Sequence, residues 1–361
     1  MKRQFLLFLI LCMSFSAQAE NIKWHDSSEF PLYGKITDKT NARYERLPGY
    51  METQARKPVW ELSRNSAGLY IRFRSDSPEL TFNWETLTDR RMPHMPDTGS
   101  KGLDLYRLTD DGWTYVKCCR PRKGPVFSEK IECDEGMREY MLYLSLYDGV
   151  KSLKIGIKEG YVIEMPEADS PRSVKPVIMY GSSILQGGCC SRPGMAHTNI
   201  LARMLDREVI NLGFSGNAKI DYEIAEFMAS FPDPGLFVLD YAPNCNAEMI
   251  DERAEKFFRI IRDAHPDVPV VFVALPPYPR ATFNSKKCKN MQQINEAQRR
   301  VYDRLKKAGE KKIYYVKSEG MLGDDLEATV DGTHFTDLGM MRYADHVYPT
   351  LKKALRCFGS R

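Results

Sequence analysis

The 361-residue chain has no C-x-x-C pair, and its six histidines are scattered, so the usual spacings of a zinc site are missing. It has no surplus of one charge: 52 basic against 48 acidic residues leave a net charge of +4. That near balance removes the basic footprint of a nucleic-acid-binding protein. Its N-terminal apolar run, residues 5–15, has eleven residues, short of the about 20 that a membrane-spanning helix needs. Internal repeats and low-complexity tracts are absent, which excludes solenoids and fibrous assemblies.

What is present begins with that short run. Lys2 and Arg3 precede it and Ala17-Gln18-Ala19 follows it. A positive region, a short apolar region and an A-x-A site make a secretory leader over residues 1–19, cleaved before Glu20, and place the mature protein in the periplasm or outside the cell. Nine cysteines minus Cys12 leave eight. Export permits disulfides, but a chain of this size does not need them, and eight cysteines allow 105 full pairings, so connectivity is not readable. With 43% apolar and 28% charged residues the composition is globular, and the length favours two domains.

The period of the apolar pattern changes along the chain. Residues 20–165 read as an all-β domain, a sandwich or jelly roll. Leu69-Tyr70-Ile71-Arg72-Phe73-Arg74 and Leu80-Thr81-Phe82-Asn83-Trp84 alternate as half-buried strands do, with further candidates at 103–108, 114–116, 140–144 and 153–157. Asp110-Asp111-Gly112 is a hairpin signal. A linker over 166–175 lies in a stretch with three prolines, Pro166, Pro171 and Pro176. From 176 to 361 apolar runs at 177–180, 209–212, 236–239, 268–275 and 313–316 alternate with helical patterns at 247–265, 293–307 and 338–355. Strand–helix alternation predicts a parallel sheet covered on both faces, a three-layer α/β domain.

In such a sheet ligands bind beyond the carboxyl ends of the strands, and the chain's chemistry-bearing residues fall there. Ser183 in Tyr180-Gly181-Ser182-Ser183-Ile184 follows the first strand, as a nucleophile or as a helix cap. It is not the G-x-S-x-G elbow, since Leu185 stands at the second glycine position. Gly216, in Asn211-Leu212-Gly213-Phe214-Ser215-Gly216-Asn217, offers a backbone N–H free of any Cβ, or is a plain turn. Asn244, in Asp240-Tyr241-Ala242-Pro243-Asn244, offers a side-chain N–H, or again forms a turn. Asp331 and His334 are spaced so that the carboxylate can accept from His334 Nδ1–H and leave Nε2 facing a serine. His25, His94, His197, His265 and His346 have no such partner in sequence and read as surface or core residues.

Together these blocks resemble the SGNH (GDSL-like) hydrolase family over about 175–355, in order as well as identity. The chain also looks like the two-domain subgroup with an all-β N-terminal domain, and the resemblance implies a flavodoxin-like three-layer sheet for the C-terminal part. The resemblance implies Ser183 as nucleophile, Asp331 and His334 as its partners, and Ser183 N–H, Gly216 N–H and Asn244 as the oxyanion hole. It implies carboxylic ester hydrolysis through an acyl-enzyme, with no metal or organic cofactor. Two departures stand out: Ser182 replaces the usual aspartate, and Ala242-Pro243-Asn244-Cys245 replaces G-x-N-D. Export and the extra β domain point to acetylated carbohydrate as the ester. A lipid or thioester acylhydrolase, and a decayed carbohydrate-binding protein, are the rivals. Trp84, Trp113 and Tyr115 are candidates for a sugar platform or for core, and Arg192 for a substrate contact or a loop tie. The expected partner is a small-molecule or glycan ester, with no nucleic acid and no stable membrane insertion.

Overall fold

The computed structural model describes the backbone of residues 21–359, so the leader read at 1–19 lies outside the described residues. Residues 22–164 form two antiparallel sheets. One has the order Ile22–Asp26, Val150–Lys158, Glu79–Thr86, Val126–Glu132. The other runs Ile163–Glu164, Tyr70–Ser75, Arg138–Tyr143, Leu103–Thr109, Gly112–Cys119, with Leu32–Tyr33 also paired to Tyr70–Ser75. Alternation fixes which side chains face inward: Ile71, Phe73, Phe82, Trp84, Leu105, Ile131 and Ile155 fill the space between the sheets. The hairpin signal sits where Thr109 pairs with Gly112 across a two-residue turn, and Gly112 takes φ 97°.

Strands at 22–26 and 126–132 escape the sequence reading because their residues are largely charged or exposed on one side. Three short helices, Met51–Gln54, Lys57–Ser63 and Asp97–Ser100, interrupt the region read as all-β.

The rest of the chain carries five parallel strands: β1 (Arg172–Gly181), β2 (Arg207–Gly213), β3 (Leu236–Asp240), β4 (Val270–Val273) and β5 (Ile313–Val316). Their spatial order is 2-1-3-4-5, the flavodoxin-like order. Residues 177–181, β3 and β4 are buried throughout, because helices cover both faces. These are α1 (Ser183–Gln186), α2 (His197–Leu205), α3 (Tyr222–Ala229), α4 (Ala247–Ala264), α5 (Ser285–Lys307) and α6 (Asp337–Gly359). In α4 the side chain of Asn246 caps the Met249 N–H at 2.8 Å, and Ile250, Ala254, Phe257, Phe258 and Ile261 form its buried stripe.

Two boundaries differ from the sequence reading. β1 starts at Arg172, inside the stretch read as linker: its first residues are exposed, Lys175 takes φ 53°, and the register to β2 shifts between Arg172 and Val177. No apolar period marks such an irregular entry. α5 starts at Ser285 rather than 293, capped by Asn284 on the Lys287 N–H. Its first two turns are exposed and carry three lysines, so apolar spacing sets in only at Met291 and Ile294.

One core spans both parts. Leu47, Met51, Val59, Trp60, Leu146 and Tyr147 from the N-terminal part join the cluster built on β1–β4. Among the described residues no helix is long and apolar enough to cross a membrane, and the seven described cysteines are all unpaired.

Candidate active site

β1 ends at Gly181, where an added Cβ would lie 2.6 Å from the Asp240 carbonyl oxygen; glycine lets β3 approach the turn. The next two serines then divide the readings the sequence left open. Ser182 is extended and its Oγ accepts from the Ile184 N–H at 3.3 Å, so it is the helix cap. Ser183 opens α1, and its Oγ lies 2.9 Å from His334 Nε2. A serine in the position usually held by aspartate therefore does the capping, and that departure leaves Ser183 free.

The D-x-x-H turn is built from its own carboxylate. Asp331 Oδ1 accepts from the backbone N–H groups of Thr333 (3.0 Å) and His334 (2.8 Å), while Oδ2 accepts from His334 Nδ1–H at 2.8 Å. The Val330 N–H donates to His334 O at 2.8 Å, and Cys189 N–H donates to Phe335 O at 3.1 Å, which ties this turn to the Ser183 loop. Burial pushes the Asp331 carboxyl up. The His334 ring and the two N–H groups outweigh it and hold it at about 2. The carboxylate thus stays ionised, Nδ1 keeps its proton, and the Nε2 lone pair faces Ser183. Ser183 is 6% exposed, whereas the side chains of His334 and Asp331 are 24% and 38% exposed. The serine lies on the floor of a site that opens past the histidine.

Gly216 follows β2 at φ 69°, with open space for 4 Å around the point where a Cβ would stand, and its N–H has no partner among the described residues. Its neighbours are pinned instead: Ser215 N–H donates to Gln186 Oε1 at 3.0 Å, and Asn217 N–H to Phe214 O at 2.8 Å. Asn244 ends a 3-10 turn, Ala242–Asn244, in which Pro243 stands at an N-terminal position that needs no N–H. Its Oδ1 accepts from Ala218 N–H at 3.1 Å, and its carbonyl accepts from Lys219 Nζ. The amide is thereby oriented with its Nδ2 donors left for another acceptor, and Pro243 does not disturb it. The Ser183 N–H, at the first position of α1, also lacks an intrahelical acceptor. Ser183, Gly216 and Asn244 thus stand past the ends of three neighbouring strands, β1, β2 and β3.

Sequence reasoning missed what holds this arrangement, because the supports come from the distant N-terminal part. Tyr147 Oη donates to Ser183 O at 3.0 Å. Gln186 Nε2 donates to Asn65 Oδ1 and to Leu146 O. Arg46, 1% exposed, donates to Asn211 O (3.1 Å), Gly213 O (2.8 Å), Leu62 O and Asn65 O. Burial lowers its guanidinium to about 9, still a cation at neutral pH. Arg56 grips Asp221 through two 2.8 Å bonds and also holds Asn217. No local pattern announces any of these.

Two candidate contacts move elsewhere. Arg192 is engaged by the β-sandwich: it donates to Asp104 Oδ2 at 2.6 Å and Tyr106 Oη at 2.7 Å, and lies 3.8 Å from the Tyr115 ring centroid. It ties a loop down and has no contact with Ser183, His334 or Asp331. Trp84 is fully buried between the sheets, and Trp113 donates to Ser170 Oγ beneath Arg72. Tyr115 is occupied by Arg192. Trp84 is therefore closed to a sugar face, whereas Tyr115 is 43% exposed beside Arg192.

A serine–histidine–carboxylate relay past the carboxyl edge of a 2-1-3-4-5 sheet, without a G-x-S-x-G elbow, defines a serine hydrolase of the SGNH type. The chain belongs to the GDSL-like lipase/acylhydrolase family: that family's model matches residues 174–352, and a model for the N-terminus of SGNH hydrolase-type esterases matches residues 22–163. It is accordingly a carboxylic ester hydrolase. Among solved structures it is similar to a protein from Bacteroides ovatus described as a GDSL-like lipase, at 34% identity and a TM-score of 0.88, covering 93% of this chain and 98% of that one. The fold is shared with a salicylyl-acyltransferase from a tetracycline biosynthetic pathway (17% identity, TM-score 0.75, 94% and 99% covered). It is shared too with a family two carbohydrate esterase from Cellvibrio japonicus (13%, 0.55, 93% and 99%). No protein of curated function matches the sequence.

Proposed function

We propose that the enzyme removes small acyl groups, acetyl foremost, from carbohydrate outside the cytoplasm, with Ser183 as nucleophile. The observation that carries the catalytic part is the unbroken relay Ser183 Oγ–His334 Nε2 at 2.9 Å and His334 Nδ1–Asp331 Oδ2 at 2.8 Å. His334 takes the Ser183 proton as Oγ attacks the ester carbonyl, and Asp331 stabilises the imidazolium that forms. The N–H groups of Ser183 and Gly216 with Asn244 Nδ2 receive the oxyanion. His334 gives the proton to the departing sugar oxygen as the C–O bond breaks, and water repeats the sequence on the acyl-enzyme.

The site opens past His334, which suits an ester on a bulky alcohol. Phe283, 90% exposed, follows the short helix Pro279–Thr282, whose Arg280 lies beside Gly332 of the D-x-x-H loop, and is a candidate ring for a sugar face. Carbohydrate esterases, including one described as an acetyl xylan esterase from Butyrivibrio proteoclasticus, share the fold, and the leader read in the sequence supports export. Acetate release across a panel of acetylated glycans, against hydrolysis of p-nitrophenyl acetate and long-chain p-nitrophenyl esters, tests the assignment. Acetyl-glycan turnover with weak long-chain turnover is expected. A preference for long-chain esters would replace it with a lipid acylhydrolase.

A further inference from the structure

His94 comes from the loop between two strands of the β-sandwich and has no partner nearby in sequence, yet its ring centroid lies 5.5 Å from that of His334. Cys189, 4% exposed, sits just beyond α1 with its backbone tied to Phe335. One ligand atom from each of His94, Cys189 and His334 lies within 4.8 Å of the others. Two imidazoles and a thiol are the donor set of a tetrahedral zinc site with one open position. Ligands at about 2.0–2.3 Å from a tetrahedral ion are about 3.3–3.8 Å apart, so side-chain rotations of about an ångström gather these three.

We propose that His94, Cys189 and His334 form an inhibitory site for zinc or a similarly thiophilic divalent ion, one that switches the esterase off. The inference rests on His334 being the base. Asp331 already holds Nδ1–H at 2.8 Å, so Nε2 is the nitrogen left to donate, and a histidine backed by a carboxylate is the arrangement that orients a zinc ligand. Binding breaks the His334 Nε2–Ser183 Oγ hydrogen bond and forms an N–Zn bond. The Cys189 thiol gives its proton to solvent as the S–Zn bond forms. Ser183 then has no base, and the open coordination position takes water or the serine hydroxyl. Neither His94 nor Cys189 belongs to the Ser183–His334–Asp331 relay, so the inhibitory site and that relay overlap only at His334.

Zinc titration of the purified protein against a chromogenic chelator, run beside p-nitrophenyl acetate hydrolysis, tests this. The parent protein is expected to bind one zinc and to lose activity in step, with recovery on adding EDTA. Ser183→Ala, inactive, is expected to bind zinc all the same, so binding is read without turnover. His94→Gln and Cys189→Ala are expected to hydrolyse the ester at near the parent rate while zinc affinity and inhibition weaken by about tenfold or more. His94 lies on a partly exposed loop, so its variant tests the site even where the buried Cys189→Ala folds poorly. Stoichiometric binding that is unchanged in His94→Gln, or no binding by the parent, overturns the inference. A fully active Ser183→Ala would instead overturn the catalytic reading while the zinc titration still reports on the site.

Discussion

Each polar group at the site has a partner or a purpose, and single substitutions separate the two. Asp331 contributes orientation and charge, not a proton. Asp331→Asn keeps the turn but offers Nδ1 the wrong partner, and kcat should fall by about 10⁴ with KM little changed, measured with p-nitrophenyl acetate. Asn244 is held by its Oδ1 on Ala218 N–H, so Asn244→Ala should lower kcat by about 10²–10³ while costing only about 1 kcal/mol of stability through the lost acceptor. Behind the site lies a titration of another kind. Asp240 accepts from Tyr343 Oη at 2.6 Å, its other oxygen has no partner among the described residues, and burial lifts it from 3.8 to about 7, against the pull of Tyr343. A carboxyl raised on folding is favoured while protonated. Its contribution is intact below about 4 and is lost as pH rises to about 7. Asp240→Asn, neutral at every pH, should therefore gain in Tm relative to the parent between pH 5 and pH 8. A constant difference across that range would contradict the buried titration.

At the level of elements, legibility followed the regularity of packing. The strands β1–β4 and the stripe of α4 announce themselves because both faces of the sheet are covered and residues such as Ile250, Phe257 and Ile261 must all point inward. The early turns of α5 and the entry of β1 do not, since they pack against solvent and carry no apolar period. The same division holds for the site. Ser183, Gly216, Asn244, Asp331 and His334 were legible because each must stand just past a strand or before a helix, at the rim the sheet creates. Which of two adjacent serines caps and which faces the histidine is a matter of backbone direction, and only the structure assigns the cap to Ser182. An element can also be altered without touching that rim. Asn246→Ala removes the cap of α4 and should cost about 1 kcal/mol, a shift of about 2 °C in Tm, with kcat and KM unchanged.

Over the whole molecule the β-sandwich and the hydrolase part act as one body. Residues far from the strand ends in sequence reach the reaction centre: Tyr147 holds the carbonyl of Ser183, and Arg46 draws together the end of β2 and the segment 62–65. These partners were illegible because they meet the site only through tertiary packing, and a lone arginine in a loop looks the same whether it is solvated or buried. Arg46→Met strips four carbonyls of a charged donor in a dry interior. It should destabilise the protein by at least about 3 kcal/mol and lower kcat more than it raises KM, through a loosened Gly216 loop. Arg192 gives the opposite signature. Burial pushes the Asp104 carboxyl up, and Arg192 with the Gly194 N–H pulls it back. Arg192→Ala should therefore lower Tm, by leaving a buried carboxyl without its cation, and leave KM for small esters unchanged.

These contacts all serve one claim, that Ser183 is the nucleophile and that His334 activates it. The direct measurement is intact-mass and peptide mapping of the enzyme after reaction with a fluorophosphonate. The account predicts a single adduct on Ser183, absent in Ser183→Ala and much slowed in His334→Ala, with ester hydrolysis lost in both variants. An adduct on another residue, or a Ser183→Ala enzyme that hydrolyses p-nitrophenyl acetate at the parent rate, would contradict it.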